Sequence, residues 1–262
     1  MGVAAARDAV LKRDRLVTVL ALGLAIALSW SYLLLAPMPD SGMGGMAMME
    51  PMAMPWSVDY ALLMVAMWAL MMAAMMLPAA APAILLVVAL RRRQKAQGQA
   101  PMQAAFFSAG YLTVWIVFSL AAAALQWSAD QMAMLTSDMR VASGVLSGVI
   151  LLTAGIYQWT PLKRNCLSHC RSPLDAITHF WRPGKFGALG AGFRHGLYCL
   201  GCCAALMGLL FAGGIMNLAW IAGLALLVLV EKVAPAGDIV SRVAGVGLTI
   251  WGGVAIASAL SG

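Results

Sequence analysis

The chain has 262 residues, of which 63% are hydrophobic and only 10% are charged, with a net charge of +7. Soluble domains carry about 25% charged residues, so this composition excludes a water-covered globule, and no stretch reads as a separate soluble domain. The positive charge does not mark a partner of nucleic acid, because the basic residues lie between apolar runs, where they act as topology signals, and no nucleic-acid motif is present.

A membrane-crossing helix needs about 20 predominantly apolar residues. After an N-terminal arm, residues 1–15, seven such runs follow, at 16–36, 58–90, 104–127, 141–160, 195–212, 218–234 and 239–260. The expected fold is all-α, a polytopic transmembrane helical bundle of about seven spans in a single membrane domain, 16–262. Placing the N-terminus in the cytoplasm puts 16 of the 17 Lys and Arg residues on the inner side, with Arg140 the exception. That segregation is the positive-inside pattern and predicts a multi-pass protein of a bacterial inner membrane. The first run has a basic start, but Leu34-Leu35-Ala36 is a poor signal-peptidase site, so a retained helix is expected.

Residues 37–57 form an outer loop rich in methionine: Met43, Met46, Met48, Met49, Met52 and Met54, with no Lys or Arg. Thioether sulfur is a soft, neutral ligand suited to Cu(I) and poorly suited to harder metals. The second run continues the pattern. Met64, Met67, Met71 and Met75 fall within an arc of roughly 80° on a helix, beside Met72 and Met76. As one straight helix this run would measure roughly 50 Å. Pro78 and Pro82 interrupt it, and each frees a carbonyl one turn earlier that needs a partner away from water. In the fourth run, Gly144-x-x-x-Gly148 predicts close helix packing.

All five cysteines fall between Cys166 and Cys203. The inner loop, 161–194, carries Cys166, His169 and Cys170, which are expected on one helical face. The fifth run opens with His195, Cys199 and Cys202 at i, i+4 and i+7, with Cys203 at the edge. Five thiols and two imidazoles exceed what a tetrahedral site requires, and in a reducing compartment disulfides are disfavoured. Cu(I) fits this set, and Zn is possible at the Cys/His cluster. The third histidine, His179, lies in Pro173–Trp181, which reads as an amphipathic helix on the inner membrane surface. Gly213-Gly214 breaks the chain before Asn217, a helix cap. Glu231, at the inner end of the sixth run, is a further site residue because ionisable groups at membrane depth are often functional.

The segments Thr160–Pro173, His195–Cys203, Ala212–Trp220 and Val230–Gly237 together resemble a family of predicted metal-binding integral membrane proteins of bacteria, a domain of unknown function. The resemblance runs from about Met64 to the end of the chain. It implies an inner-membrane protein, with metal binding inferred from residues such as Cys166, Cys170, Cys199 and Cys202. The methionine loop lies outside it.

Three functions are compatible with these residues. The first is binding of Cu(I) with transport or delivery across the membrane, the outer methionines feeding the inner thiols, and a metallochaperone or membrane-complex protein as partner beside the lipid bilayer and the metal ion itself. The second is a structural or assembly subunit stapled by Zn. The third is a thiol oxidoreductase using Cys199-x-x-Cys202. No Ser/His/Asp arrangement, phosphate loop or dinucleotide fingerprint appears, so apart from that thiol-redox alternative no enzyme, and no organic cofactor, is expected.

Overall fold

The computed structural model describes residues 2–35, 57–93, 100–136, 139–172 and 184–261. The methionine loop with Met43, Met46, Met48, Met49, Met52 and Met54, and the segment holding His179, lie outside the described residues. Among those described, every regular element is a helix, and one isolated bridge joins Leu135 to Val141. The helices are α1 (Gly2–Leu35), α2 (Val58–Arg93), α3 (Ala100–Gln131), α4 (Gly144–Tyr157), α5 (Pro161–Arg171), α6 (Lys185–Gly208), α7 (Leu210–Gly213), α8 (Leu218–Val233) and α9 (Gly237–Ser261).

Five stretches are long and apolar enough to cross a membrane: Arg13–Leu35, Val58–Leu90, Ala100–Gln131, Lys185–Gly213 and Gly237–Ser261. The pair α4 and α5, bent by 64°, makes a sixth if taken as one span. The outward faces of α1 and α9 carry Leu20, Leu24, Leu28, Ile250, Trp251 and Val254, all exposed, which suits a surface turned to lipid. This architecture is compatible with a multi-pass membrane protein. It also departs from the seven expected runs. α4 has 14 residues and α8 has 16, about 21 and 24 Å at 1.5 Å per residue, both under the ~30 Å hydrocarbon thickness. The fifth run begins ten residues earlier than its hydropathy suggests, at Lys185. Part of the inner loop is therefore helix α5 and the first turns of α6.

α2 sits in the centre. Its Trp68, Met71, Met72, Met75, Met76 and Ile84 are almost wholly buried. The prolines leave the helix continuous, and the structure answers the carbonyl that Pro78 frees. Ala74 is the residue four before it, and its oxygen accepts a hydrogen bond from Trp30 Nε1 on α1 at 3.2 Å. The indole thereby fastens α1 to α2 where the ladder of backbone bonds is interrupted.

Two glycine seams set the remaining packing. A methyl group on Gly110 or Gly192 would overlap the backbone carbonyl of Leu189 or Phe107, so α3 and α6 touch backbone to backbone. On the other side, Gly144 and Gly148 pack against Ala259 and Ile256 of α9, and Gly155 packs against Thr249. The close approach expected of the Gly144/Gly148 motif is thus made with α9. The α6–α8 corner is also as expected: Asn217 caps α8, its side-chain oxygen accepting from Trp220 N at 3.1 Å. Thr160 caps α5 in the same way through Lys163 N at 3.2 Å, and Pro161 occupies the first helical position, where its missing N–H costs nothing.

Candidate metal centre

The bend between α4 and α5 lays α5 against α6. Its buried face consists of Lys163, Cys166, Leu167 and Cys170, the i, i+3, i+4, i+7 stripe of a short amphipathic helix. Across from it, α6 buries His195, Cys199, Cys202 and Cys203. The two sequence clusters therefore meet. Cys202 Sγ lies 3.8 Å from Cys170 Sγ and 3.4 Å from Cys203 Sγ. Cys199 joins them through its backbone oxygen, which accepts from Cys202 Sγ at 3.2 Å. All five cysteines are free thiols.

The two sulfur–sulfur contacts have the scale of a thiolate metal site. With metal–sulfur bonds of about 2.3 Å, tetrahedral ligands stand ~3.8 Å apart. The Cys170–Cys202 pair has that separation, and the Cys202–Cys203 pair is tighter. Among the described residues, no group of three or more Cys, His, Asp and Glu side chains is placed so that it could hold a metal ion as it stands. The sulfurs are instead engaged in hydrogen bonds. Cys202 Sγ donates to Cys199 O at 3.2 Å. Cys199 Sγ accepts from Lys232 Nζ at 2.8 Å and shares a bond with the Tyr111 hydroxyl at 3.0 Å.

The other expected ligands divide. Cys166 is buried on the same face of α5, but its sulfur faces the backbone of Gly201, where a Cβ would come within 2.6 Å of it; it packs where the two helices touch. His169 corrects the one-face expectation. At 3.6 residues per turn it lies roughly 110° from the middle of the buried stripe. It is exposed, stacked on Tyr198 with ring centroids 4.4 Å apart, and its Nδ1 lies 2.7 Å from Asn165 O. His195 lies one turn before Cys199, between the rings of Phe107 and Tyr111 at 5.7 and 5.8 Å. Its Nδ1 is buried with no hydrogen-bond partner, an orphaned lone pair or proton that native interiors seldom leave and that a soft cation could use.

The ladder methionines Met64, Met67, Met71 and Met75 are all buried, with at most 4% of their surface exposed. One side chain bridges the backbone beside their inner end and the thiols. The Tyr111 hydroxyl contacts both Met76 O, at 3.2 Å, and Cys199 Sγ.

Glu231 is not a ligand in this arrangement. Its Oε2 pairs with Lys163 Nζ at 2.8 Å, both side chains essentially inaccessible, while Oε1 has no partner. Arg171 adds bonds to Ala234 O and Pro235 O at 2.8 and 2.7 Å and to Asp238 at 3.3 Å. These contacts hold α5, and with it Cys170, on the α8–α9 turn.

Tyr111 and Lys163 were not legible as site residues. A lone tyrosine in an apolar span reads as packing, and Lys163 reads as one more inner-loop charge. Their partners lie 88 and 68 positions away, a pairing that no local pattern encodes.

Residues 65–255 match the family model PpoB2, described as copper chaperone. The match covers well over half the chain, and the chain belongs to this copper chaperone family. It embraces the central helix from Val65 onward and every cysteine. The resemblance drawn from the sequence was to metal-binding proteins, and the metal named by the family is copper. No curated protein matches the chain. No solved structure matches it either.

Proposed function

We propose that this protein is a seven-span protein of the bacterial inner membrane, with its N-terminus in the cytoplasm, that relays Cu(I) along buried methionines to a thiol cluster for delivery to a recipient protein. α4, continued by α5, and α8 serve as the short spans. The observation that carries the reading is the junction at Tyr111, whose hydroxyl touches Cys199 Sγ and the backbone oxygen of Met76, the residue after the last ladder methionine, Met75.

The chemistry gives the relay a direction. Thioethers are neutral and hold Cu(I) weakly enough to exchange it, whereas thiolates neutralise its charge and bind it more firmly. A file of weak sites ending at Cys170, Cys199, Cys202 and Cys203 lets the ion descend in free energy without a nucleotide. The methionine loop at 43–54 collects the ion at the outer end. His195, with its unpartnered ring nitrogen, supplies a further soft ligand beside Cys199. Lys232 supports Cys199 when no ion is bound, so loading exchanges one hydrogen bond for a metal–sulfur bond. The matched family's description as copper chaperone supports copper as the cargo. The protein carries out no bond-making on an organic substrate in this reading.

The test is Cu(I) transfer in proteoliposomes kept reduced, comparing the natural chain with Met71→Leu and with Cys170/Cys199/Cys202→Ser. The natural chain should move Cu(I) to a lumenal chelator, Met71→Leu should slow it, and the serine variant should abolish it. Equal rates in all three proteins would overturn the relay.

A further inference from the structure

Met139 belongs to none of the features above. It lies in the connection between α3 and α4, half-buried, at the end of the bundle where α2 begins. Its backbone has φ of 53°, the left-handed region that residues other than glycine rarely occupy and that costs energy to hold. The connection maintains it. Met139 N donates to Thr136 O and Val141 N donates to Phe211 O, both at 2.9 Å.

The side chain held in this way meets the first rung of the ladder. Gln126 Nε2 lies 3.3 Å from Met139 Sδ and 3.6 Å from Met64 Sδ. Trp68 Nε1 donates to Gln126 Oε1 at 2.7 Å. Because an indole N–H can only donate, it fixes the amide with its oxygen toward Trp68 and its NH2 toward the two sulfurs. Gln126 is 2% exposed. A buried NH2 would ordinarily be given oxygen acceptors, since sulfur is a weak one. Here two thioethers from distant parts of the chain converge on it, and each sulfur keeps a second lone pair that a soft cation can use. The indole of Trp68, stacked on Phe211 with centroids 5.6 Å apart, adds an aromatic surface of the kind that attracts cations.

We infer that Met64 and Met139 form the entry site for a soft monovalent cation at the head of the methionine ladder, with Gln126 and Trp68 holding the two sulfurs in place. The inference rests on the proposed copper relay and specifies where an ion enters it. Met64 is buried and Met139 half-buried, so the connection between α3 and α4 is the side from which the ion arrives.

The experiment uses the full chain in detergent, labelled with 13C at the methionine methyls and titrated with Ag(I), a redox-stable surrogate for Cu(I). Thiol loading is followed in the same samples by loss of reactivity toward a thiol reagent. The Met64 and Met139 methyl resonances should move together. In Met139→Leu, a volume-conserving change that cores tolerate, the Met64 shift should require roughly tenfold more Ag(I) or vanish. Met64→Leu should act reciprocally on Met139, and Met132→Leu, on an exposed side chain of the same connection, should leave both unchanged. A Met64 titration unaltered by Met139→Leu would overturn the entry site. If the thiols and Met71 respond while Met64 and Met139 stay still, the entry site falls and the relay stands. If neither thiols nor methionines respond, both fall.

Discussion

The buried ion pair Lys163–Glu231 offers a quantitative handle on how the thiol cluster is held. At 2.8 Å and an effective dielectric constant of 20, the attraction is about 6 kcal/mol, much of it offset by the desolvation of two ions. Replacing both charges with apolar residues therefore costs little. Removing one leaves its partner buried and uncompensated, at about 3–5 kcal/mol. Glu231 is poorly placed to compensate, because Oε1 already lacks a partner. Lys163→Met and Glu231→Leu should each destabilise strongly, and the double variant should recover most of the loss, with a coupling of about 2–3 kcal/mol. The assay is denaturant unfolding in mixed micelles, analysed as a double-mutant cycle. Because the pair fastens α5 to α8, each single variant should also expose Cys170 to thiol reagents sooner than Cys166→Ser does. Additive single effects, within ~0.5 kcal/mol, would refute the reasoning.

Trp30→Phe should cost about 1–3 kcal/mol by stranding the Ala74 carbonyl that Pro78 frees, and Pro78→Ala should remove most of that penalty; thermal melts of the four combinations check it. Gly155→Val should cost about 1–3 kcal/mol through overpacking against Thr249, while Gly253→Ala, where a Cβ meets nothing within 4 Å, should be neutral or slightly stabilising in the same melts. Tyr111→Phe should lower stability by about 1 kcal/mol and slow Cu(I) transfer in proteoliposomes without reducing the copper bound at equilibrium, because the hydroxyl links the backbone beside the ladder to the cluster but is not itself a soft ligand.

The helices were legible because apolar runs of membrane length have few alternatives, and the four spaced methionines of α2 are all buried. The start of α6 was not. Residues from Gly184 to Gly196 contain Gly184, Gly187, Gly190, Gly192 and Gly196 with Lys185 and Arg194, a composition that reads as loop. They are helical from Lys185 because the small residues let α6 lie directly on α3, a tertiary gain invisible to local propensity. The site divides for the same reason. Cys170, Cys199, Cys202 and Cys203 share a chemistry that suggested a cluster, and the fold assembles one. Cys166 shares the buried stripe of α5 but packs against Gly201, and His169 falls off the stripe, since only packing decides which side of α5 faces inward and what each residue on it meets. The methionine periodicity likewise missed Met139, whose place beside Met64 depends on how the connection after α3 folds back.

The most direct test of the account is copper X-ray absorption on the full chain, purified and loaded under reducing conditions, beside the Cys166/Cys170/Cys199/Cys202→Ser variant. The account predicts Cu(I) with a sulfur shell at about 2.3 Å, the distance of a metal–thiolate bond, and loss of that copper in the variant. Copper bound equally by both proteins, or a shell of nitrogen and oxygen alone, would contradict it.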